Sequence, residues 1–126
     1  MPTQDIPRTE WPAFLDSFSR QHEGWLTTVE VVTSGLGVHR EVREKPLTGI
    51  SEDRKRGDAA SISISAGERP QDHVTHVVPR PSRVALELTE VGAHKGLRIE
   101  SENGDMTLVL FRAPALPETL DGMVSR

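Results

Sequence analysis

The stretch between Thr9 and Val32 constrains the fold most, because a helical apolar pattern stops at a glycine and a strand pattern starts at once. Four apolar residues at helical spacing line one face: Trp11, Phe14, Leu15 and Phe18. Gly24 suits the left-handed position that ends a helix, and the apolar period becomes two from Trp25 onward. Four of the five aromatic residues lie in this stretch, so we expect the core to form where this helix docks on a sheet.

The boundaries of this helix follow from its first turn. The hydroxyl of Thr9 can cap the free amides there, and Pro12 lies early enough to be tolerated. We therefore predict a helix over residues 9–23. Residues 1–8 contain two prolines and are predicted to form an extended arm.

Short runs of alternating apolar and polar residues fill residues 25–112, separated by turn residues. The strand over 38–44 is largely charged, which is typical of an exposed edge, and Pro46 is expected to end its pairing. A three-residue loop at 56–58 would place Ile50 opposite Ile64 on one face, whereas a two-residue loop would shift this register by one residue.

The last predicted hairpin turns at Asn103–Gly104, the favoured pair for a two-residue type I′ turn. Such a turn pairs Ile99 with Leu108 and Leu97 with Leu110. All four side chains would then share one face, which we expect to be the core face.

These patterns predict a mainly β (α+β) fold: an N-terminal amphipathic helix followed by a bent antiparallel sheet or small β-barrel of about seven to eight short strands. The strands have no long crossovers between them, which argues against a parallel α/β sheet. One globular domain is expected over residues 9–112, followed by a flexible or weakly helical tail over residues 113–126.

Composition excludes several classes of function. The chain has 126 residues, no cysteine and a net charge of −4. Disulfides, thiolate nucleophiles and zinc–thiolate sites are therefore excluded. The chain starts without a signal-like segment and lacks an apolar run of about 20 residues, so we expect a cytoplasmic protein that does not contact membrane. The interleaved acidic and basic residues argue against general nucleic-acid binding.

Several segments resemble a family of small bacterial proteins that is catalogued only as a domain of unknown function. The resemblance rests on Ile6–Phe14, Phe18–Arg20, His22–Trp25, Pro46–Ile50, His73–His76 and Thr107–Arg112. It spans residues 6–112 and implies a bacterial, stand-alone cytosolic domain. It implies no substrate and no catalytic residue.

His73 and His76, with Asp72 beside them, are the candidates for a small-ligand site, because histidine is a common ligand and titrates near neutral pH, although a structural or surface role is the commoner one for such histidines. On a regular strand, residues three apart point to opposite faces, so this site requires a bulge or turn. His22 and Glu23 are possible helpers, although a helix-capping role suits His22 better. His39 and His94 are expected at the surface.

A partner-binding surface is the second prediction. The aromatic face of the helix, with Trp11 and Phe14, could bind a protein if the helix detaches, although core packing is the commoner role of such residues. Arg40 and Val42 lie on the charged strand, which could pair with a partner strand or with a second copy.

The sequence contains no recognised catalytic motif, so we expect a non-enzymatic binding or accessory module that acts through protein contacts, as a homodimer in one version. No cofactor and no metal are predicted. One alternative is a ligand- or metal-binding barrel, conceivably hydrolytic, that uses His73 and His76. A weaker alternative is a stress-linked regulator that contacts nucleic acid through Arg54–Arg56.

Overall fold

The computed structural model describes residues 3–33, 35, 37–53 and 60–115, and only the backbone of 113–115. Eight strands, one α-helix and two short 3₁₀ turns follow one another along these residues. They are β1 (Thr3–Ile6), a turn (Arg8–Glu10), α1 (Trp11–Gln21), β2 (Leu26–Thr33), β3 (Gly37–Asp53), β4 (Ser61–Ala66), a turn (Pro70–Asp72), β5 (Val74–Pro79), β6 (Pro81–Leu88), β7 (His94–Ser101) and β8 (Met106–Ala115).

All eight strands belong to one antiparallel sheet in the order β1-β6-β7-β8-β2-β3-β4-β5. This confirms the predicted fold class, but the sheet is open and is not a barrel, since β1 and β5 lie at opposite ends. The first part of β3 pairs with β2 and its second part pairs with β4. We call β1, β6, β7, β8, β2 and the start of β3 the large layer, and the rest of β3 with β4 and β5 the small layer.

One apolar core lies between the inner faces of the two layers and the helix. The small layer contributes Ile62 and Ile64, and the large layer contributes Leu97, Ile99 and Val109, all with no exposed surface. Because alternate residues of a strand point to opposite faces, these positions also define which residues of each strand face outward.

The helix α1 packs beside the second part of β3. Trp11, Leu15 and Phe18 are buried, as the helical spacing predicts. The Ser19 hydroxyl accepts a hydrogen bond from the Ile50 amide at 2.8 Å and lies 2.9 Å from the Ile50 carbonyl oxygen. One side chain of the helix therefore stands where a neighbouring strand would otherwise pair with β3.

The start of the helix differs from the prediction. Thr9 lies within a 3₁₀ turn, and the residue before α1 is Glu10, whose side chain makes no capping bond. The backbone takes over this role, because the Glu10 amide donates to the Pro7 carbonyl oxygen at 2.9 Å. At its other end, α1 stops at Gln21, two residues before the predicted end, and Gly24 has the expected left-handed conformation, with a φ of +86°.

Within the predicted extended arm over residues 1–8, Thr3–Ile6 are extended and pair with the sheet as β1. Ile6 pairs with Val84 of β6, and the carbonyl oxygen of Ile6 accepts a hydrogen bond from Trp11 Nε1 at 2.9 Å. A four-residue strand with one buried residue has too little apolar alternation to be seen in the sequence, so pairing with β6 decides its conformation.

The predicted register of the last hairpin is wrong by one residue. The structure pairs Ile99 with Thr107 and Leu97 with Val109. The Ser101 amide donates to the Asp105 carbonyl oxygen, so the loop has three residues rather than two. Only Gly104 of these three has a positive φ, as in a type I turn followed by a glycine bulge. The extra residue turns Leu108 and Leu110 to the outer face.

The segment from 38 to 53 was expected to form two strands broken at Pro46, but β3 is continuous. Pro46 pairs with Leu26 at the point where β3 leaves β2, and its carbonyl oxygen accepts a hydrogen bond from the Gly67 amide. The predicted pairing of Ile50 with Ile64 is confirmed. The loop at 56–58 and residues 116–126 lie outside the described residues.

Candidate functional site

The outer face of the large layer carries large apolar side chains that no other described element covers. Val38, Val32 and Met106 are cross-strand neighbours on β3, β2 and β8, and Val38 is 60% exposed. Leu108 and Leu110 continue the same face of β8 and are partly exposed. We call these five residues the apolar stripe.

The outer face of the small layer has the opposite character. Ser61, Ser63 and Ser65 of β4 alternate with buried isoleucines, and Ser65 hydrogen bonds to the Thr75 hydroxyl on β5 at 3.1 Å. An antiparallel sheet with one solvated face usually carries such polar residues outward. The apolar stripe is therefore a specific property of the large layer.

Ion pairs border the apolar stripe on the side of β7. Arg98 donates to Glu87 at 2.8 Å, and Arg83 donates to Asp5 at 2.8 Å and to Glu100 at 3.2 Å. The pKa of Arg83 is raised, first by its hydrogen bond to Asp5 and then by the charges of both carboxylates. This network keeps the charged side chains of the outer face paired with one another beside the stripe.

An open groove of about 550 Å³ borders the stripe on the side of β3. Three arginines line it: Arg40 pairs with Glu30 at 3.3 Å, Arg112 pairs with Glu44 at 3.7 Å, and Arg43 has no ion-pair partner among the described residues. The groove therefore carries one cation more than it has carboxylates to neutralise.

The backbone beside this groove is irregular. Glu44 has a φ of +47°, and β2 and β3 slip in register on either side of Val29. A residue other than glycine in this conformation is strained, and its amide is held by the Thr28 hydroxyl at 3.3 Å. Such bulges are frequent beside functional sites, and this one sets the direction of the Arg43 and Glu44 side chains.

A buried histidine pair lies at the end of α1. His22 has no exposed surface, its Nδ1 donates to the Phe18 carbonyl oxygen at 2.7 Å, and its Nε2 lies 3.1 Å from Nδ1 of His94. Since the carbonyl can only accept, the proton of neutral His22 is on Nδ1. Nε2 of His22 then accepts from Nδ1 of His94, which leaves Nε2 of His94 with a free lone pair.

The surroundings of this pair keep it uncharged. The ring centroids of Phe18, Trp25 and Phe111 lie 4.3–4.6 Å from the ring centroid of His22. Burial lowers the pKa of His22 from 6.5 to about 4, against the opposing effect of its bond to Phe18, and burial also lowers the pKa of His94. The pair can therefore hold the helix end against β7 as a neutral hydrogen-bonded unit.

Sequence reasoning missed this pair. His94 was expected at the surface, but it is half-buried against His22, 72 residues away in the chain. Nothing in the spacing of the two residues indicates the contact. The apolar stripe was missed for a different reason, because the one-residue error in the last hairpin assigned Leu108 and Leu110 to the core.

The predicted ligand site stays untested, and the structure separates its residues. His73 is exposed, whereas His76 is half-buried on the inner face of β5 with Val74 and Val78. The Asp72 carboxylate accepts from the Arg69 and Glu68 amides, and these bonds, the first above all, lower its pKa. The described residues contain no group of three or more histidine, aspartate or glutamate side chains that could hold a metal ion.

The predicted partner-binding residues divide into two sets. Trp11 is 1% exposed and Val42 is 2% exposed, so neither can contact a partner in this structure, since both fill the core. Phe14 is partly buried against the same core. Arg40 is exposed and lines the groove beside the apolar stripe. The basic cluster at 54–56 lies outside the described residues.

The helix itself gives no sign of a membrane segment. Among the described residues, no helix has the length and apolar character needed to cross a bilayer.

Comparison with known proteins places this chain in a family. The family of unknown function DUF5335 matches residues 2–119. The chain belongs to the DUF5335 family. An uncharacterised protein of Aquifex aeolicus (strain VF5) is 26% identical over 117 residues, which cover 93% of this chain and 97% of that protein. No solved structure matches. The DUF5335 match confirms the resemblance seen in the sequence and assigns no activity.

Proposed function

We propose that this DUF5335 protein is a non-enzymatic binding module that contacts a partner protein through the apolar stripe. The observation that supports this is an uncovered sheet face with five large apolar side chains: Val32, Val38, Met106, Leu108 and Leu110. Contiguous apolar surface rimmed by charged residues is typical of protein interfaces.

The borders of the stripe indicate the chemistry of the partner. On the β7 side the charges are paired within the chain, so they require no charge from a partner. On the β3 side Arg43 has no ion-pair partner among the described residues. A partner with an apolar strip that ends in a carboxylate would fit both the stripe and this arginine.

The test replaces two residues of the stripe. Met106→Gln/Leu108→Gln removes apolar contact area but leaves the inner face of β8 unchanged, so the fold should survive. Tagged wild-type and variant chains would be compared for the proteins that each retains from host-cell extract. We expect retention of the partner to fall about tenfold or more, which corresponds to a loss of about 1.4 kcal/mol or more of binding free energy.

The matched control is Ser63→Gln/Ser65→Gln, which changes two outward residues of the small layer. Thermal unfolding of all variants would establish that each is folded. The proposal would be contradicted if the stripe variant and the control retained the partner equally. It would also be contradicted if the wild-type chain retained only the proteins that an unrelated tagged protein retains.

A further inference from the structure

The strand β5 is an edge of the sheet that lacks the usual protection. Among the described strands it pairs with β4 alone, in an unbroken register from Val74 to Pro79. It contains no Asp, Glu, Lys or Arg, and Val77 is 49% exposed. Natural edge strands are normally kept from pairing by charges, bulges or short length, and β5 has only the proline at its end.

The other edges of the sheet are protected. The strand β1 has four residues and carries Asp5, which is tied to Arg83. The start of β3, over 37–44, has four charged residues among its eight and two slips of register. The rest of β3 is covered at Ile50 by Ser19. The edge expected from the sequence at 38–44 is thus poorly suited to regular strand addition, and β5 is well suited to it.

The hydrogen-bonding groups of β5 that point away from β4 can be identified. The Arg80 amide donates to the Ala60 carbonyl oxygen at 3.2 Å, in the same register that pairs Pro79 with Ser61. In an antiparallel ladder, alternate residues bond to the same neighbour, so Val74, His76 and Val78 bond to β4. The amide and carbonyl groups of Thr75 and Val77 therefore point outward.

We propose that β5 pairs with β5 of a second copy of this chain, antiparallel about a two-fold axis at His76. In this register Thr75 bonds to Val77 of the second copy and Val77 bonds to its Thr75, so all the outward groups of both residues are used. No charged residues face each other across the axis, so pairing places no like charges opposite one another. The eight-stranded sheets of the two copies join into one.

This inference goes beyond the proposed function, because it concerns the edge of the small layer and not the apolar stripe. A dimer of this kind leaves both stripes free. It also presents two copies of the binding face, which would raise the apparent affinity for a partner with repeated sites.

The first test is a charge swap at the two outward residues. Thr75→Lys/Val77→Lys and Thr75→Glu/Val77→Glu each place like charges opposite one another across the axis, whereas a mixture of the two places opposite charges there. By size-exclusion chromatography with light scattering, we expect a two-chain mass for the wild type and a one-chain mass for each variant. The equimolar mixture should return to a two-chain mass.

The control for this test is Ser63→Lys/Ser65→Lys, which adds the same charges to the same face one strand further from the axis. It should keep the two-chain mass. A wild-type chain of single mass at all accessible concentrations overturns the inference. A dimer that persists in both β5 variants, or that is lost only in Met106→Gln/Leu108→Gln, overturns it as well and assigns self-association to another surface.

The second test uses the absence of cysteine from the chain. His76→Cys places two thiols on the axis at a non-hydrogen-bonded pair, where Cα atoms are about 4.5 Å apart and a disulfide can form. We expect a disulfide-linked dimer under mild oxidation. Thr75→Cys, which faces a different residue of the second copy, should link far more slowly, and equal rates would contradict the proposed register.

Discussion

His22 is a histidine kept neutral by its burial among three aromatic rings, against the opposing effect of its hydrogen bond to the Phe18 carbonyl oxygen. Its pKa falls to about 4 because charging it would place a cation in an apolar cage with a second histidine beside it. In the unfolded chain the same group titrates near 6.5. The folded protein therefore binds fewer protons than the unfolded chain whenever the pH lies between these two values.

This difference predicts an acid-sensitive stability. The contribution of His22 is fully present above pH 6.5 and is lost as the pH falls toward about 4. The loss is on the order of 3 kcal/mol, and His94, whose pKa is also lowered, adds to it in the same direction. Chemical denaturation at a series of pH values would measure how steeply the free energy of unfolding changes with pH.

The variant for this prediction is His22→Gln, which cannot take up the proton. Its free energy of unfolding should therefore change less steeply between pH 6.5 and 4. The exposed His39→Gln serves as the control and should keep the wild-type slope. The same slope in wild type and His22→Gln would show that acid sensitivity has another source.

The histidines also show how far single residues can be predicted from this sequence. The role of Gly24 follows from its position after an apolar helix face, since its conformation is a local property. The contact of His22 with His94 depends on how α1 packs against β7, which no local pattern records. Candidate residues such as His73 and His76 are visible because they are close in sequence, and closeness in sequence does not bring them together on a strand.

At the scale of elements, the β7–β8 hairpin determines what the protein shows to solvent. An Asn–Gly pair favours a two-residue turn, and the apolar pattern of both strands agrees with that turn as well as it agrees with the observed one. In the structure Thr107 is buried and Leu108 is outside, which reverses the usual preference. The helix, most strands and the Ile50–Ile64 register are predictable because only one pairing buries their apolar residues.

In the same hairpin, substitution of Gly96 is expected to destabilise the fold. A Cβ at Gly96 would collide with the Val109 carbonyl oxygen, so β7 and β8 can approach this closely only with glycine there. We expect Gly96→Ala to lower the free energy of unfolding by about 1–3 kcal/mol. Denaturant titration of both chains measures this change in the free energy of unfolding.

The comparison for this prediction is Gly49→Ala in β3. A Cβ at Gly49 meets no atom within 4 Å, and its φ is not in the left-handed region. This substitution should be neutral or slightly stabilising. Equal effects at both glycines would mean that the strands can separate at Gly96 without loss.

For the whole molecule, the proposed dimer should depend on pH through the two rings at its axis. Burial lowers the pKa of His76, and the charge of Glu41 on β3 opposes this shift. Both rings are neutral above pH 6.5. As the pH falls through the lowered pKa of His76, protonation would place two cations together, so the dimer should dissociate while His76→Gln remains dimeric. Sedimentation at pH 7.5 and pH 5 measures this, and a dimer unchanged by acid would place the axis elsewhere.

The order in which the chain is made has a consequence for how it folds. Asp5 of β1 pairs with Arg83, 78 residues later, and in the part of the chain that the structure describes β6 is the strand neighbour of β1. At about 5–20 residues per second, ribosomes need several seconds to make the chain between these partners. The strand β1 therefore leaves the ribosome before β6 exists, and it can pair only after residues 81–88 have been made.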